Sequence, residues 1–114
     1  MIREQRGLAG AIERLAEGVR NATEARHPRT AKLLAGGPSR IAQKLGEEAI
    51  EVGLELALGN REAVIRESAD LLYQLVVAWT ALGILPDEIF WELHRRELAM
   101  GLAEKLPKSA GDPT

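Results

Sequence analysis

The chain has 114 residues, 46% of them hydrophobic, with 15 lysine and arginine residues against 17 acidic residues and a net charge of −2. This balance predicts a single globular domain rather than a disordered segment, and it argues against nucleic-acid binding through a bulk positive field. The absence of cysteine excludes disulfides and thiolate metal sites. His27 and His94 lie too far apart in the sequence to suggest a multi-histidine zinc site.

The first six residues are charged and lack the apolar core of a signal peptide. No run of about 18 apolar residues occurs, so the sequence predicts no membrane span. We therefore expect a cytoplasmic protein with neither nucleic acid nor a membrane as its partner.

Glycine and proline divide the chain into five predicted helices. Apolar residues recur at helical spacing from Leu8 to Val19, and this first segment ends near Asn21. A short second helix is predicted over residues 30–35, before Gly36-Gly37-Pro38. Ser39 is the predicted N-cap of a third helix over residues 40–58, which Gly59 should end.

Asn60 is the predicted N-cap of a fourth helix that continues to about Leu82, and a fifth begins at Pro86 and runs to about residue 98. No period-2 alternation is long enough for a strand. We therefore predict an all-α helical bundle of about five helices, with a domain over residues 1–106 and a mobile tail over 107–114 that is rich in proline, glycine and small polar residues.

Acidic side chains line one flank of each long helix. Lys44, Glu48 and Glu51 adjoin the apolar stripe of the third helix, and a matching set adjoins that of the fourth: Glu67, Asp70 and Gln74. If the apolar faces pack, four carboxylates converge and need a cation between them, for which Mg²⁺ is suited. A solvated helix face explains the same pattern and is the commoner case. Gly46 and Gly53, both costly inside a helix, indicate close packing of the third helix.

The segment Lys44-Leu45-Gly46-Glu47-Glu48-Ala49-Ile50-Glu51, followed by Glu67-Ser68-Ala69-Asp70-Leu71-Leu72-Tyr73, resembles the signature of the phosphoribosyl-ATP pyrophosphatase family. That family belongs to the all-α, MazG-like nucleotide pyrophosphohydrolases, which carry an ExxE pair followed by ExxD on the next helix. Segments 30–38, 92–97 and 101–105 are similar to the family as well. Two positions depart from its pattern: Pro28-Arg29 stands where the family has Ser and an aromatic residue, and Gln74 where it has His.

The resemblance implies hydrolysis of phosphoribosyl-ATP to phosphoribosyl-AMP and pyrophosphate in histidine biosynthesis. It implies Mg²⁺ held by four carboxylates, with Glu48 or Glu51 also orienting or deprotonating the attacking water. The metal ligands would be Glu48, Glu51, Glu67 and Asp70. The expected substrate-binding residues are Lys44, on a phosphate, Lys32 and Arg40, near the second phosphate-bearing end, and Gln74.

The family also forms homodimers, and the wide apolar arc of the fourth helix, from Leu71 to Trp79, is consistent with burial on several sides. Tyr73 and Trp79 are expected in the core rather than on a nucleotide base. Two alternatives remain open from the sequence. One is a house-cleaning pyrophosphohydrolase of other nucleoside triphosphates, which the departures near Thr30 and at Gln74 would fit. The other is a non-enzymatic helical dimerisation module.

Overall fold

The computed structural model describes residues 6–100. Within this range the chain forms five α-helices and no strand. The helices are α1 Leu8–Arg20, α2 Pro28–Ala35, α3 Gly37–Ala57, α4 Arg61–Ala81 and α5 Pro86–Met100. The predicted all-α fold with about five helices is confirmed. The end of the predicted domain at residue 106 and the predicted tail 107–114 lie outside the described residues and stay predictions.

The chain divides after Ile84 into two compact units. In the first unit α3 and α4 share the most extensive helix contact, and only three residues join them, so they form an antiparallel hairpin. The helix α1 packs against α4, and the short α2 packs against both helices of the hairpin. This hairpin carries every acidic residue that the sequence analysis assigned to the site.

Glycines end both helices of the hairpin, as predicted. Gly59 and Gly83 have φ angles of 72° and 71°, a left-handed conformation that favours glycine. After α3, the Asn60 N–H donates to the Glu55 carbonyl (3.0 Å), and after α4 the Ile84 N–H donates to the Trp79 carbonyl (2.8 Å). Both are Schellman motifs, which satisfy carbonyls that the helix end leaves free.

The helix starts depend on contacts that the sequence did not reveal. The prediction that Ser39 caps α3 was wrong: α3 begins at Gly37, with Gly36 as its N-cap and Pro38 in the first turn, where a missing N–H costs nothing. Asn60 is the N-cap residue of α4, as predicted, but its side chain makes no cap bond. The Asn60 amide instead donates to the Glu55 carboxylate (2.7 Å), across the hairpin turn.

The core lies where α1, α2, α3 and α4 meet. Its buried residues are Ala16, Val19, Leu33, Ile41, Val76 and Val77. Tyr73 and Trp79 pack against this cluster, which confirms their predicted place in the core. The apolar stripe of α3 consists of Ile41, Leu45, Ala49, Val52 and Leu56. Its C-terminal end does not join the core, since Leu56 is 68% exposed. A Cβ atom built at Gly46 or Gly53 meets nothing within 4 Å, so the predicted close packing around these glycines is absent within the described part of this chain.

The second unit contains α5. The Glu92 carboxylate accepts hydrogen bonds from Arg95 (2.7 Å) and Arg96 (2.8 Å), and these two bonds hold its pKa far below the usual range, at about 2. The Phe90 and His94 rings stack with centroids 5.7 Å apart. Among residues 6–100, none of the helices taken singly has both the length and the apolar content of a membrane span. The helices α4 and α5 meet these two criteria only when they are counted together across the break between them.

Candidate functional site

Three carboxylates from the α3–α4 hairpin converge at one place. Glu48 of α3 and Glu67 and Asp70 of α4 each offer an oxygen atom, and these atoms lie within 4.8 Å of one another. Glu67 and Asp70 share a face of α4 because three residues separate them, close to one helical turn. Glu48 reaches them because α3 and α4 pack along their lengths. We call these three residues the carboxylate cluster.

Glu51, the fourth predicted carboxylate, contacts the cluster through Glu67. A hydrogen bond shared with the Glu51 carboxyl, together with desolvation and the negative charges of its neighbours, raises the pKa of Glu67 to about 7. Burial raises the pKa of Glu48, and the charges of Glu51 and Asp70 add to this effect. A hydrogen bond with the Glu67 side chain and, to a smaller extent, the charge of Lys44 act in the opposite direction on the pKa of Glu48. The cluster thus holds more negative charge than its own surroundings neutralise.

The donor set of the cluster fits a hard divalent cation. One oxygen of Glu48, Oε2, is buried and has no hydrogen-bond partner, a costly arrangement for a carboxylate unless a cation or a proton satisfies it. All the available ligands are carboxylate oxygens, which Mg²⁺ prefers. Glu48, Glu67 and Asp70 could therefore hold a metal ion, with Glu51 beside them.

The raised pKa of Glu67 predicts how the metal-free protein responds to pH. The folded state binds this proton more tightly than the unfolded state, so the contribution is present below the ordinary value of 4.5 and is lost as the pH rises to about 7. In EDTA, the Tm of the wild type should therefore fall across this range relative to that of Glu67→Gln, which has no carboxyl to titrate. A thermal melt of both proteins at each pH checks this. Parallel curves for the two proteins would contradict it.

A cationic cavity of about 220 Å³ opens between α2, α3 and α4. Its lining residues are Arg29, Lys32, Leu33, Arg40, Lys44 and Gln74. The structure thus brings together the four residues predicted to contact substrate, from three different helices. Arg29 was not among the predicted site residues, because the predicted second helix began at residue 30. The helix in fact begins at Pro28, so Arg29 and Lys32, three residues apart, share one of its faces.

The cavity lies next to the carboxylate cluster. Lys44 precedes Glu48 by four residues on α3, and Gln74 follows Asp70 by four residues on α4, a distance of roughly 6 Å along each helix axis. The Lys44 ammonium is 3.3 Å from the Glu47 carboxylate, so its ion pair is with Glu47 rather than with Glu48. Cations and carboxylates therefore occupy successive turns of the same hairpin.

A hydrogen bond between two hydroxyl groups ties α2 to the hairpin. The Thr30 and Tyr73 hydroxyl oxygens are 2.6 Å apart, and both residues are half-buried. Thr30 lies next to Arg29 and two residues before Lys32, so this bond fixes the helix that brings both cations to the cavity. Tyr73 thus has a structural contact that the sequence analysis did not foresee.

The fold and the site define an all-α protein in which a carboxylate cluster adjoins a cationic cavity, as expected of an enzyme that acts on phosphate compounds with the aid of a metal. A family model described as phosphoribosyl-ATP pyrophosphohydrolase matches residues 13–97. The chain belongs to this hydrolase family, which confirms the resemblance seen in the sequence.

Individual relatives agree with this assignment. The chain is 49% identical over 104 residues to a Rhodopseudomonas palustris protein named phosphoribosyl-ATP pyrophosphatase 2, a match that covers 90% of this chain and 79% of the relative. It is 55% identical over 82 residues to a protein of the same name from Bradyrhizobium diazoefficiens, covering 72% of this chain and 61% of the relative. A Gluconobacter oxydans phosphoribosyl-ATP pyrophosphatase is 45% identical over 96 residues, covering 82% and 72%.

Proposed function

We propose that this protein hydrolyses phosphoribosyl-ATP to phosphoribosyl-AMP and pyrophosphate, as a Mg²⁺-dependent enzyme of histidine biosynthesis. The observation that carries the proposal is the position of the carboxylate cluster one helical turn from a cavity lined by Arg29, Lys32, Arg40 and Lys44. Hydrolysis of a polyphosphate requires both parts, a metal site and cations for phosphate oxygens. The names of the relatives support the choice of substrate.

In this proposal Glu48, Glu51, Glu67 and Asp70 hold the metal. Bound Mg²⁺ would offset the charge of the phosphate oxygens and favour in-line attack. Glu48 and Glu51 orient the attacking water, and one of them accepts its proton. The water oxygen bonds to the phosphorus that becomes the monophosphate of the product. The bond from that phosphorus to the bridging oxygen breaks, and the oxygen leaves with pyrophosphate.

The cavity residues have a separate role in binding. Lys44, one turn from Glu48, contacts a phosphate of the chain that is cleaved. Lys32 and Arg40 hold the phosphate of the phosphoribosyl group, since charge-assisted hydrogen bonds to phosphate are stronger than neutral ones. Gln74 contacts the substrate between these groups and the cluster.

Pyrophosphate release tests the function. Phosphoribosyl-ATP should release pyrophosphate in Mg²⁺, and both EDTA and Glu51→Ala should abolish the release. Release from other nucleoside or deoxynucleoside triphosphates but not from phosphoribosyl-ATP would keep the site and overturn the substrate, in favour of a house-cleaning enzyme. No release from any nucleotide would favour the non-enzymatic helical module.

The proposal includes a homodimer, which an unpartnered face of α3 supports. At about 100° per residue, five small residues fall on one face of α3, and all are exposed: Ala42, Gly46, Ala49, Gly53 and Ala57. Large apolar side chains flank this face and are also exposed: Ile50, Leu54 and Leu56. Small residues let helices approach closely, and this would account for two glycines whose Cβ positions are open in the single chain.

A bulky side chain on this face should separate the dimer without unfolding the chain. Gly46 is exposed and a Cβ atom there meets nothing within 4 Å in the single chain, and leucine is a better helix former than glycine. We expect sedimentation velocity to show a wild-type dimer and a Gly46→Leu monomer. Gly18→Leu, at an equally open position of α1, is the matched control and should stay dimeric. A Gly46→Leu dimer as stable as the wild type would place the interface elsewhere.

The remaining parts of the proposal concern the setting of the enzyme. Its partner is a small nucleotide, and the net charge of −2 gives no support to a nucleic-acid partner. We place the protein in the cytoplasm, free of membranes, where its nucleotide substrate and free Mg²⁺ are available.

A further inference from the structure

Among the residues that line the cavity, Gln74 is the uncharged polar one; the others are four cationic residues and Leu33. Gln74 is 1% exposed, and its side-chain oxygen Oε1 is buried without a hydrogen-bond partner. A buried amide oxygen without a partner is costly, on the order of a lost hydrogen bond. A ligand that donates a hydrogen bond to this oxygen would therefore gain affinity from it.

The cations around Gln74 do not supply this donor. The Lys44 ammonium pairs with Glu47 (3.3 Å), and the Arg40 guanidinium donates to Gln43 Oε1 (3.4 Å). Once phosphate enters, its oxygens compete for the same cations. Above its second pKa of about 6, a phosphate monoester has no hydrogen left to donate, so its phosphate group cannot satisfy Gln74 itself. The complementary ligand carries phosphate for the cations and, beside it, a hydroxyl group for the amide oxygen.

The size of the cavity also favours a small ligand that carries a phosphate and a hydroxyl group. Its volume of about 220 Å³ is below the roughly 300–1,000 Å³ of sites that enclose a drug-sized ligand. It therefore suits a phosphorylated sugar rather than a whole nucleotide. This wall offers less to a purine base, since its cations come from α2 and α3, Gln74 comes from α4, and no aromatic ring is among its lining residues.

We propose that Gln74 determines specificity for the sugar of the substrate, its Oε1 accepting a hydrogen bond from a hydroxyl group of the sugar phosphate that the cavity cations bind. This inference rests on the proposed function, since the phosphoribosyl group combines the phosphate and the hydroxyl groups that the wall requires. Gln74 contributes to the affinity for the sugar, whereas the carboxylate cluster binds the metal.

The test compares two phosphate monoesters, ribose 5-phosphate and methyl phosphate, by calorimetric titration at about pH 8, where neither phosphate group keeps a hydrogen. Gln74→Leu removes the acceptor and should weaken ribose 5-phosphate binding by about five- to tenfold, while the affinity for methyl phosphate, which has no hydroxyl group, changes by less than about twofold. Gln74→Met is the second variant, in case leucine disturbs folding, and a thermal melt of each checks this. In turnover of phosphoribosyl-ATP, KM should rise by a similar factor with kcat nearly unchanged.

Gln43→Leu is the matched control, the same substitution at an exposed glutamine of α3. Any effect it has through Arg40 acts on phosphate, which both probes share, so their affinity ratio should stay as in the wild type. Equal losses for both probes in the Gln74 variants, no loss for either, or a weaker affinity for Mg²⁺ alone would each overturn the inference.

The failure of this inference is distinguishable from that of the proposed function. If wild-type protein cleaves phosphoribosyl-ATP but Gln74→Leu leaves the ratio of probe affinities unchanged, the inference alone is wrong. If wild-type protein releases no pyrophosphate from phosphoribosyl-ATP but the probes separate as expected, the substrate is wrong and the role of Gln74 in binding a sugar phosphate is supported.

Discussion

Glu48→Gln should lower kcat/KM for pyrophosphate release from phosphoribosyl-ATP by on the order of 10³-fold. Glutamine keeps the size of the side chain but removes the charge that a metal ligand supplies. Loss of a residue that only supports a ligand already reduces activity by about 10- to 100-fold, so loss of a ligand that also orients water should exceed this. Steady-state kinetics at saturating Mg²⁺ measure the effect.

The Tm of Glu48→Gln shows whether its loss of activity comes from a lost metal ligand or from unfolding. Since burial and neighbouring charges raise the pKa of Glu48, a neutral amide relieves repulsion in the metal-free protein. Glu48→Gln should therefore melt no lower than the wild type in EDTA, while it loses the increase in Tm that Mg²⁺ confers. Glu62→Gln, on the exposed first turn of α4, is the matched control and should keep its activity. If Glu48→Gln retained more than a tenth of wild-type kcat/KM, its assignment as a ligand would fail.

Lys44→Met should lower kcat/KM by roughly 10- to 100-fold, the second largest effect expected. Lys44 lines the cavity and stands one turn from Glu48, so it can contact a phosphate group that lies beside the carboxylate cluster. A hydrogen bond to a charged group contributes about 1.5–3 kcal/mol, which corresponds to this range of rates. Methionine keeps much of the apolar stem, and thus the change isolates the charge.

Two further variants show whether the loss in Lys44→Met comes from the positive charge at this position. Lys44→Arg restores the positive charge and should recover most of the activity. Arg61→Met removes an exposed cation at the start of α4, away from the cavity, and should change kcat/KM by less than about twofold. If Lys44→Met and Arg61→Met behaved alike, the cavity would not be the phosphate site.

The helices were largely predictable because their signals are local. Gly59 and Gly83 end their helices through backbone conformations that depend on a few neighbouring residues. The start of α3 was not predictable from Ser39, because Gly36 and Pro38 also fit a helix start and the choice among them depends on how α2 joins α3. The close packing predicted around Gly46 is absent within the single chain, because helix propensity gives the cost of a glycine without identifying the neighbour that requires it.

Which side chains share a helix face follows from their spacing: Glu67, Asp70 and Gln74 lie together on α4 whatever α4 packs against. The packing of the helices was needed to show that Glu48 meets Glu67 and Asp70 within 4.8 Å. It was also needed to show that α2 brings Arg29 and Lys32 to a cavity that Gln74 lines as well. The physical reason is that helix geometry is set by bonds within about one turn, whereas burial, pKa and the meeting of faces depend on residues that are distant in the chain.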